Sequence, residues 1–106
     1  MIVEFVSFDM PQGFSEDDLI ADARGVAEYW QSNPDLIRKH FVKGADGKVA
    51  GIYVWPNKDA ALKAHDAAWI SRFRARTGTE PEITYFDMFM LIDNEAGTVS
   101  EFPLHP

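Results

Sequence analysis

Two stretches of this chain read as strands that are apolar on both faces, and this restricts the fold more than any other feature. Residues 2–8, I-V-E-F-V-S-F, put Ile2, Val6 and Phe8 on one face and Val3 and Phe5 on the other. Successive side chains of a strand point to opposite faces, so neither face is built for water. Glu82 to Asp93, E-I-T-Y-F-D-M-F-M-L-I-D, repeats the pattern, with Ile83, Tyr85, Phe89 and Leu91 against Phe86, Met88, Met90 and Ile92. An antiparallel sheet with helices on one side only alternates apolar with polar. These strands do not, so a second layer has to cover the face that helices leave bare.

Between them the remaining elements can be placed. Met10-Pro11-Gln12-Gly13 is a turn, and Ser15 is an N-cap followed by Glu16, Asp17 and Asp18, which favour the positive helix end. Leu19, Ala23, Val26 and Trp30, widened by Ile20 and Ala27, make one face of a helix that runs to about Ser32, where Asn33-Pro34 stops it. Leu36 to Lys43 is a second strand. Asp46-Gly47 turns a tight hairpin into a third, Lys48 to Trp55. Asn57 caps a second helix expected to continue to Gly78, with Ala61, Leu62, His65, Ala68, Trp69 and Phe73 on one stripe. Glu82 to Asp93 is the fourth strand. Residues 94–106 are expected as a C-terminal tail, of which Thr98 to Phe102 can pair at a sheet edge.

The order β-α-β-β-α-β is two βαβ units joined by a hairpin, an α+β ferredoxin-like sandwich on an antiparallel sheet. A second copy of the chain is the economical cover for the bare face, giving a homodimer whose sheets close into a dimeric α/β barrel. Left open, such a face invites aggregation.

A chain of 106 residues is the size of one domain. It has no cysteine, so disulfides, thiolate chemistry and Cys-type zinc sites are excluded. A net charge of −7 opposes nucleic-acid binding, which draws most of its affinity from cations on phosphates. Arg72, Arg74 and Arg76 read instead as complements to a helix C-terminus. No apolar run approaches the ~20 residues that span a bilayer. The first eight residues have no basic region and carry Glu4, so a signal peptide is not expected and a cytoplasmic location is.

Several segments carry a family resemblance: Pro34-Asp35-Leu36-Ile37-Arg38-Lys39 with Phe41, Gly51-Ile52-Tyr53-Val54-Trp55, Ala60-Ala61, Trp69, Gly78, Tyr85-Phe86-Asp87 and Ile92-Asp93-Asn94. In this order the chain resembles dimeric α/β-barrel proteins of the antibiotic-biosynthesis monooxygenase type, closest to their YdhR-like branch. The resemblance implies an oxygenase that needs no cofactor, neither metal nor flavin. It implies a phenol or quinol as substrate, a hydrophobic aromatic small molecule held between sheet and helices. Some members of the branch carry a His where Ala68 stands here; His65 lies nearly a turn earlier and is not its equivalent.

Oxygenation without a cofactor asks for a base that takes a phenolic proton, and for a dry pocket. Histidine suits the first because its pKa lies near working pH. His65, on the inner stripe with Leu62 and Trp69, is the candidate base; its structural alternative is a core-edge imidazole bonded to a backbone carbonyl. Asp87 is a second catalytic candidate, expected mid-strand among aromatics, where an unpaired carboxylate costs several kcal/mol. The alternative there is a buried ion pair with Arg38, Lys39 or Arg72, and Glu4 invites the same argument with less force. Tyr53, Trp55, Trp69 and Tyr85 are candidate ligand-binding residues that can stack a flat ring and donate a hydrogen bond, or simply form core. His40 is expected on a solvated edge strand, and His105 has no assigned role.

Two other functions fit the residues. A dimeric module that binds a hydrophobic small molecule without turning it over contradicts nothing. A haem-degrading relative needs an Asn near the end of the first strand and a helical Trp preceding His; here Ser7 stands in that strand and His65 precedes Trp69, so the pattern is broken.

Overall fold

The computed structural model describes residues 1–104; His105 lies outside them. The chain runs β1 (Ile2–Asp9), α1 (Glu16–Gln31), β2 (Arg38–Lys43), β3 (Lys48–Trp55), α2 (Lys58–Ala64), α3 (Ala67–Thr77), β4 (Glu82–Asp87), β5 (Met90–Asp93) and β6 (Thr98–Glu101). Strands β2-β3-β1-β4 form one antiparallel sheet in that order. This is the α+β ferredoxin-like arrangement that the element order implies. The two middle strands are β3 and β1, and β2 is an edge, as expected for the strand carrying His40.

Local chemistry explains the start and stop of each element. The Ser15 hydroxyl accepts from the Asp18 N–H at 3.1 Å, and the Asp18 carboxylate accepts from the Ser15 N–H at 2.9 Å. This reciprocal box satisfies two amides that a helix start leaves free. In the β2–β3 hairpin the Gly44 N–H donates to the Lys48 carbonyl at 2.8 Å, and Gly47 takes φ 84°, where a side chain would be strained. Gly78 closes α3 at φ 69°, its N–H donating to the Arg74 carbonyl at 2.9 Å.

Register sorts the sheet into two unequal faces. Ile2, Glu4 and Val6 of β1 and Val49, Gly51, Tyr53 and Trp55 of β3 lie buried beneath the helices. The core cluster joins Ile2, Val6, Tyr53 and Trp55 to Trp30 of α1, Ala61 of α2 and Trp69 and Phe73 of α3. On the opposite face Phe5 and Phe86 meet edge to face, with centroids 5.5 Å apart, yet remain exposed, as does Val42.

Three boundaries differ from the sequence reading. The second helix is two helices, because His65 leaves the helical region (φ −114°, ψ 55°) and Asp66 begins a new helix by accepting from the Trp69 N–H at 2.8 Å. The break takes Leu62 and Ala68 off the inner stripe, and both are exposed. The fourth strand ends at Asp87 rather than Asp93. Its partner β1 runs out there, since Asp87 lies opposite Ile2 and the Met88 N–H bonds the Met1 carbonyl at 2.9 Å. The chain therefore turns away, and β5 pairs with β6 in a separate two-stranded sheet. Residues expected as an irregular tail close that hairpin, with Asp93 Oδ1 accepting from the Glu95 and Ala96 N–H groups and Gly97 at φ 71°. Finally, β2 begins at Arg38 rather than Leu36, although the Ile37 N–H already bonds the Val54 carbonyl at 3.0 Å.

The capping box gives a direct check. Ser15→Ala should lower unfolding stability by about 1 kcal/mol in a urea titration, with no change in the fold by circular dichroism.

Candidate active site

The most buried polar group is Glu4. Its residue has 0% relative exposure, in the middle of the sheet, opposite Tyr53 on β3 and Tyr85 on β4. Its Oε1 accepts from the Trp55 indole N–H at 2.8 Å and lies 2.9 Å from Nδ1 of His65. The second contact lacks the direction of a hydrogen bond, and Glu4 Oε2 and His65 Nε2 have no hydrogen-bond partner among the described residues. His65 reaches Glu4 because it stands where the helix breaks. Around its imidazole are four rings, those of Trp69 (centroids 4.4 Å away), Tyr53 (4.7 Å), Trp30 (5.2 Å) and Trp55 (6.4 Å). His65 is thus buried, but beside a carboxylate rather than a backbone carbonyl.

Next to this cluster, between the sheet and helices α1 and α3, lies a cavity of about 540 Å³. Its walls include Val26 and Trp30 of α1, Trp69 and Phe73 of α3, and Tyr53 of β3, with Phe41 and Lys39 from β2. The cavity explains why the stripe of α1 is only half buried at Leu19, Ala23 and Val26: it faces an open space rather than a packed layer. Pockets of this size, mostly apolar with a few polar groups, are the usual form of a small-molecule site.

The structure divides the predicted site residues. Tyr53 and Trp69 line the cavity. Trp55 is completely buried beside Glu4, and His65 stands one ring behind the wall. Neither lines the cavity. Tyr85 and Asp87 lie apart from it, in a second depression of about 400 Å³ with Met1, Asn57 and Lys58. Asp87 is exposed at the end of an edge strand, so the burial that made it a candidate is absent; the buried carboxyl is Glu4 instead. Of the three clustered arginines, Arg74 pairs with Glu80 and Arg76 with Asp22. Among the described residues no three His, Asp or Glu side chains converge as metal ligands, and no helix is long and apolar enough to cross a membrane.

Sequence reasoning assigned none of the charged side chains on the cavity wall to a site; beside Glu16, Asp22, Lys43, Arg72 and Arg76, the one set among aromatic rings is Lys39. Its Nζ lies 3.9 Å from the centroid of Phe41, 4.5 Å from Trp30 and 4.6 Å from Tyr53. Burial, and then the charge of Arg76, pull its pKa from the ordinary 10.5 down to about 7, with Asp22 and Glu4 opposing. Burial also pushes the Tyr53 hydroxyl well above its usual range, so it stays a donor. Tyr85 is raised too, by burial and then by the charge of Glu4.

No protein-family model and no curated protein matches this sequence. Solved structures do match in shape. A Deinococcus radiodurans protein classed with the antibiotic-biosynthesis monooxygenases superposes with a TM-score of 0.65 at 11% identity, over 88% of this chain and 97% of the other. SnoaB, a cofactor-independent oxygenase from Streptomyces nogalater, gives 0.61 at 19% identity, over 82% and 92%. Rv0793 from Mycobacterium tuberculosis gives 0.62 at 14%, over 84% and 96%. The chain shares the α+β ferredoxin-like fold of these proteins. At these identities the likeness is one of architecture, and the function has to come from the site.

Two stability measurements follow. Glu4→Ala removes the carboxyl from the Trp55 N–H and from His65 and should cost about 3 kcal/mol, whereas Glu80→Ala, at an exposed pair, should barely move the midpoint. An equal effect of both would contradict a structural role for the buried cluster. Lys39 makes stability depend on pH. Between about 7 and 10.5 its amine is protonated in the unfolded chain but not in the folded one, so stability should rise with pH across that window. Below it the full cost of the buried charge is present. Lys39→Met should therefore raise the melting temperature at pH 6 and flatten the rise between pH 7 and 10.

Proposed function

We propose that this protein is a cofactor-independent monooxygenase acting on a small aromatic phenol or quinol, held in the cavity between the sheet and helices α1 and α3. The observation that carries the reading is the cavity itself, about 540 Å³ of space walled by Trp30, Tyr53, Trp69 and Phe73. A flat ring can stack on these side chains, and the protonated Tyr53 hydroxyl can hydrogen-bond its oxygen. An aromatic anion gives an electron to dioxygen, and a water-poor pocket keeps the resulting pair together. The shared fold of SnoaB supports the reaction class.

The proton acceptor has to reach the bound phenol. His65 does not line the cavity, but the rings of Tyr53 and Trp69, which do, are its near neighbours. His65→Ala therefore distinguishes two roles: a base loses turnover in the folded enzyme, whereas a core residue loses stability and keeps turnover. A binder without turnover shares the same cavity, so the deciding measurement is oxygen uptake. Dihydroanthracenone-type or menadiol-type substrates should consume oxygen faster with the protein than without it, and Trp69→Ala should weaken their binding by roughly tenfold or more. Saturable binding without oxygen uptake would leave the protein a binder.

The proposal includes a cytoplasmic homodimer. Phe5, Val42 and Phe86 on the bare sheet face, with Phe89 and with Met90, Ile92 and Val99 of the β5–β6 hairpin, are exposed apolar side chains of the kind that a partner surface covers. A second copy placed sheet to sheet covers it. Sedimentation should give a dimer at micromolar concentration, and a stable monomer there would rule the dimer out.

A further inference from the structure

The structure assigns to Lys39 the role of general base for this site: its neutral amine takes the proton of an acidic phenol in the cavity and, as the ammonium, stays paired with the phenolate. The proposal rests on the reading of the cavity as a phenol site. In the transfer the phenolic O–H bond breaks, its electron pair remains on oxygen, and the amine lone pair forms the new N–H bond. No other reactant is needed for that step.

The argument begins with placement. Lys39 is on the edge strand β2 but on the helix-covered face, opposite Tyr53, and it lines the cavity. A backbone device makes room for it. Gly51 lies on the same face, and a Cβ there would stand 2.8 Å from the Tyr53 ring and 3.1 Å from Lys39 Cε. Any larger residue would push the lysine stem and the tyrosine ring apart. Three aromatic faces then surround the Nζ, and these stabilise a cation without accepting its proton.

Burial, and after it the charge of Arg76, let the amine release that proton, while Asp22 and Glu4 oppose the release. On α1, Asp22 is paired with Arg76 of α3, Glu16 is 3.9 Å from Lys43 of β2, and Tyr29 shares the cavity wall. On α3, Arg72 lines the cavity as a further cation. On β1, Glu4 is engaged by Trp55 and His65, and on β3 Tyr53 stays a neutral hydroxyl. Among the described residues no carboxylate forms an ion pair with Lys39, so its partner position is open to a substrate anion. A base is most effective when its pKa lies near the working pH, and the value of about 7 for Lys39 meets that condition. A phenol acidified by ring fusion or a neighbouring carbonyl gives up its proton to such an amine more readily than an ordinary phenol with a pKa of about 10.

The test uses 4-nitrophenol, which is yellow only as its anion, and 4-nitroanisole, which has no proton to give. At about pH 7, where the free dye is only partly ionised, wild-type protein should bind it wholly in the yellow form. Lys39→Met should bind the dye about tenfold more weakly and without colour, while holding nitroanisole within about twofold of wild type. Lys39→Arg, which cannot take the proton, should still hold the anion but release protons to the buffer on binding, which wild type does not, and equal release by the two would overturn the base. A yellow complex with Lys39→Met, or a colourless one with wild type, overturns the assignment and leaves the cavity reading intact. Wild type that binds neither dye nor ether overturns both. Phenolate bound at Lys39 with no oxygen uptake from any quinol supports the base and removes the oxygenase. A second measurement needs no variant: among the lysine Cε carbon resonances of labelled wild type, one should titrate at about 7, and all of them titrating near 10.5 would overturn the proposal.

Discussion

A carboxyl group with no access to water sits at the centre of this protein, and much of the structure answers to it. Glu4 lies on a middle strand beneath the helices, where an unpaired charge costs several kcal/mol. The Trp55 indole on the neighbouring strand donates to it, and His65 comes down from the helical layer to meet the same oxygen. One carboxyl thus links β1, β3 and the junction of α2 with α3. The break between those helices falls at the residue that reaches Glu4. Such clusters hold one arrangement against alternatives more than they add net stability, and here the arrangement held is a wall of aromatic rings.

That wall separates two environments. Behind it, Glu4, Trp55 and His65 form a closed polar cluster. In front of it, Tyr53, Trp30 and Trp69 present their other sides to a cavity in which Lys39 is the amine under the rings. The division reorganises the chemistry that the residue types suggest. Histidine and carboxylate are in contact with each other, while a lysine whose charge is made costly by burial faces the space where a ligand fits. The solved structures with this fold share the frame; the placement of a lysine among three rings, with a glycine clearing its seat, is a property of these residues.

Much of the frame was legible in the chain because it depends on neighbours in sequence. Ser15 with Asp18, Asp46-Gly47 and Gly78 act within a few residues of themselves, and each appears where local chemistry puts it. The boundaries that moved did so for tertiary reasons. The fourth strand stops where β1 begins, because a strand without a partner leaves its backbone groups unpaired. The second helix breaks at His65, although the apolar stripe runs through it, because Asp66 caps a new start and His65 turns to Glu4. Leu62 and Ala68, on the stripe by spacing, fall outside it for the same reason.

The site itself was legible in type and not in position. An aromatic-rich strand followed by a helix bearing His65 and Trp69 stood out in the chain, and of these residues Tyr53 and Trp69 border the cavity. Asp87 had stood out as the carboxylate among aromatics, yet it ends on an exposed edge, and Glu4 takes the buried place. Lys39 stood in the sequence only as a candidate ion-pair partner of Asp87, not as a residue of the cavity. By itself the sequence determined the α+β order, the hairpin, the caps and an excess of apolar surface on the sheet. Only the tertiary structure decided which carboxyl is buried, that the histidine is spent on it, and which amine faces the cavity. Burial and charge pairing arise between strands and helices distant in the chain, and no local pattern records them.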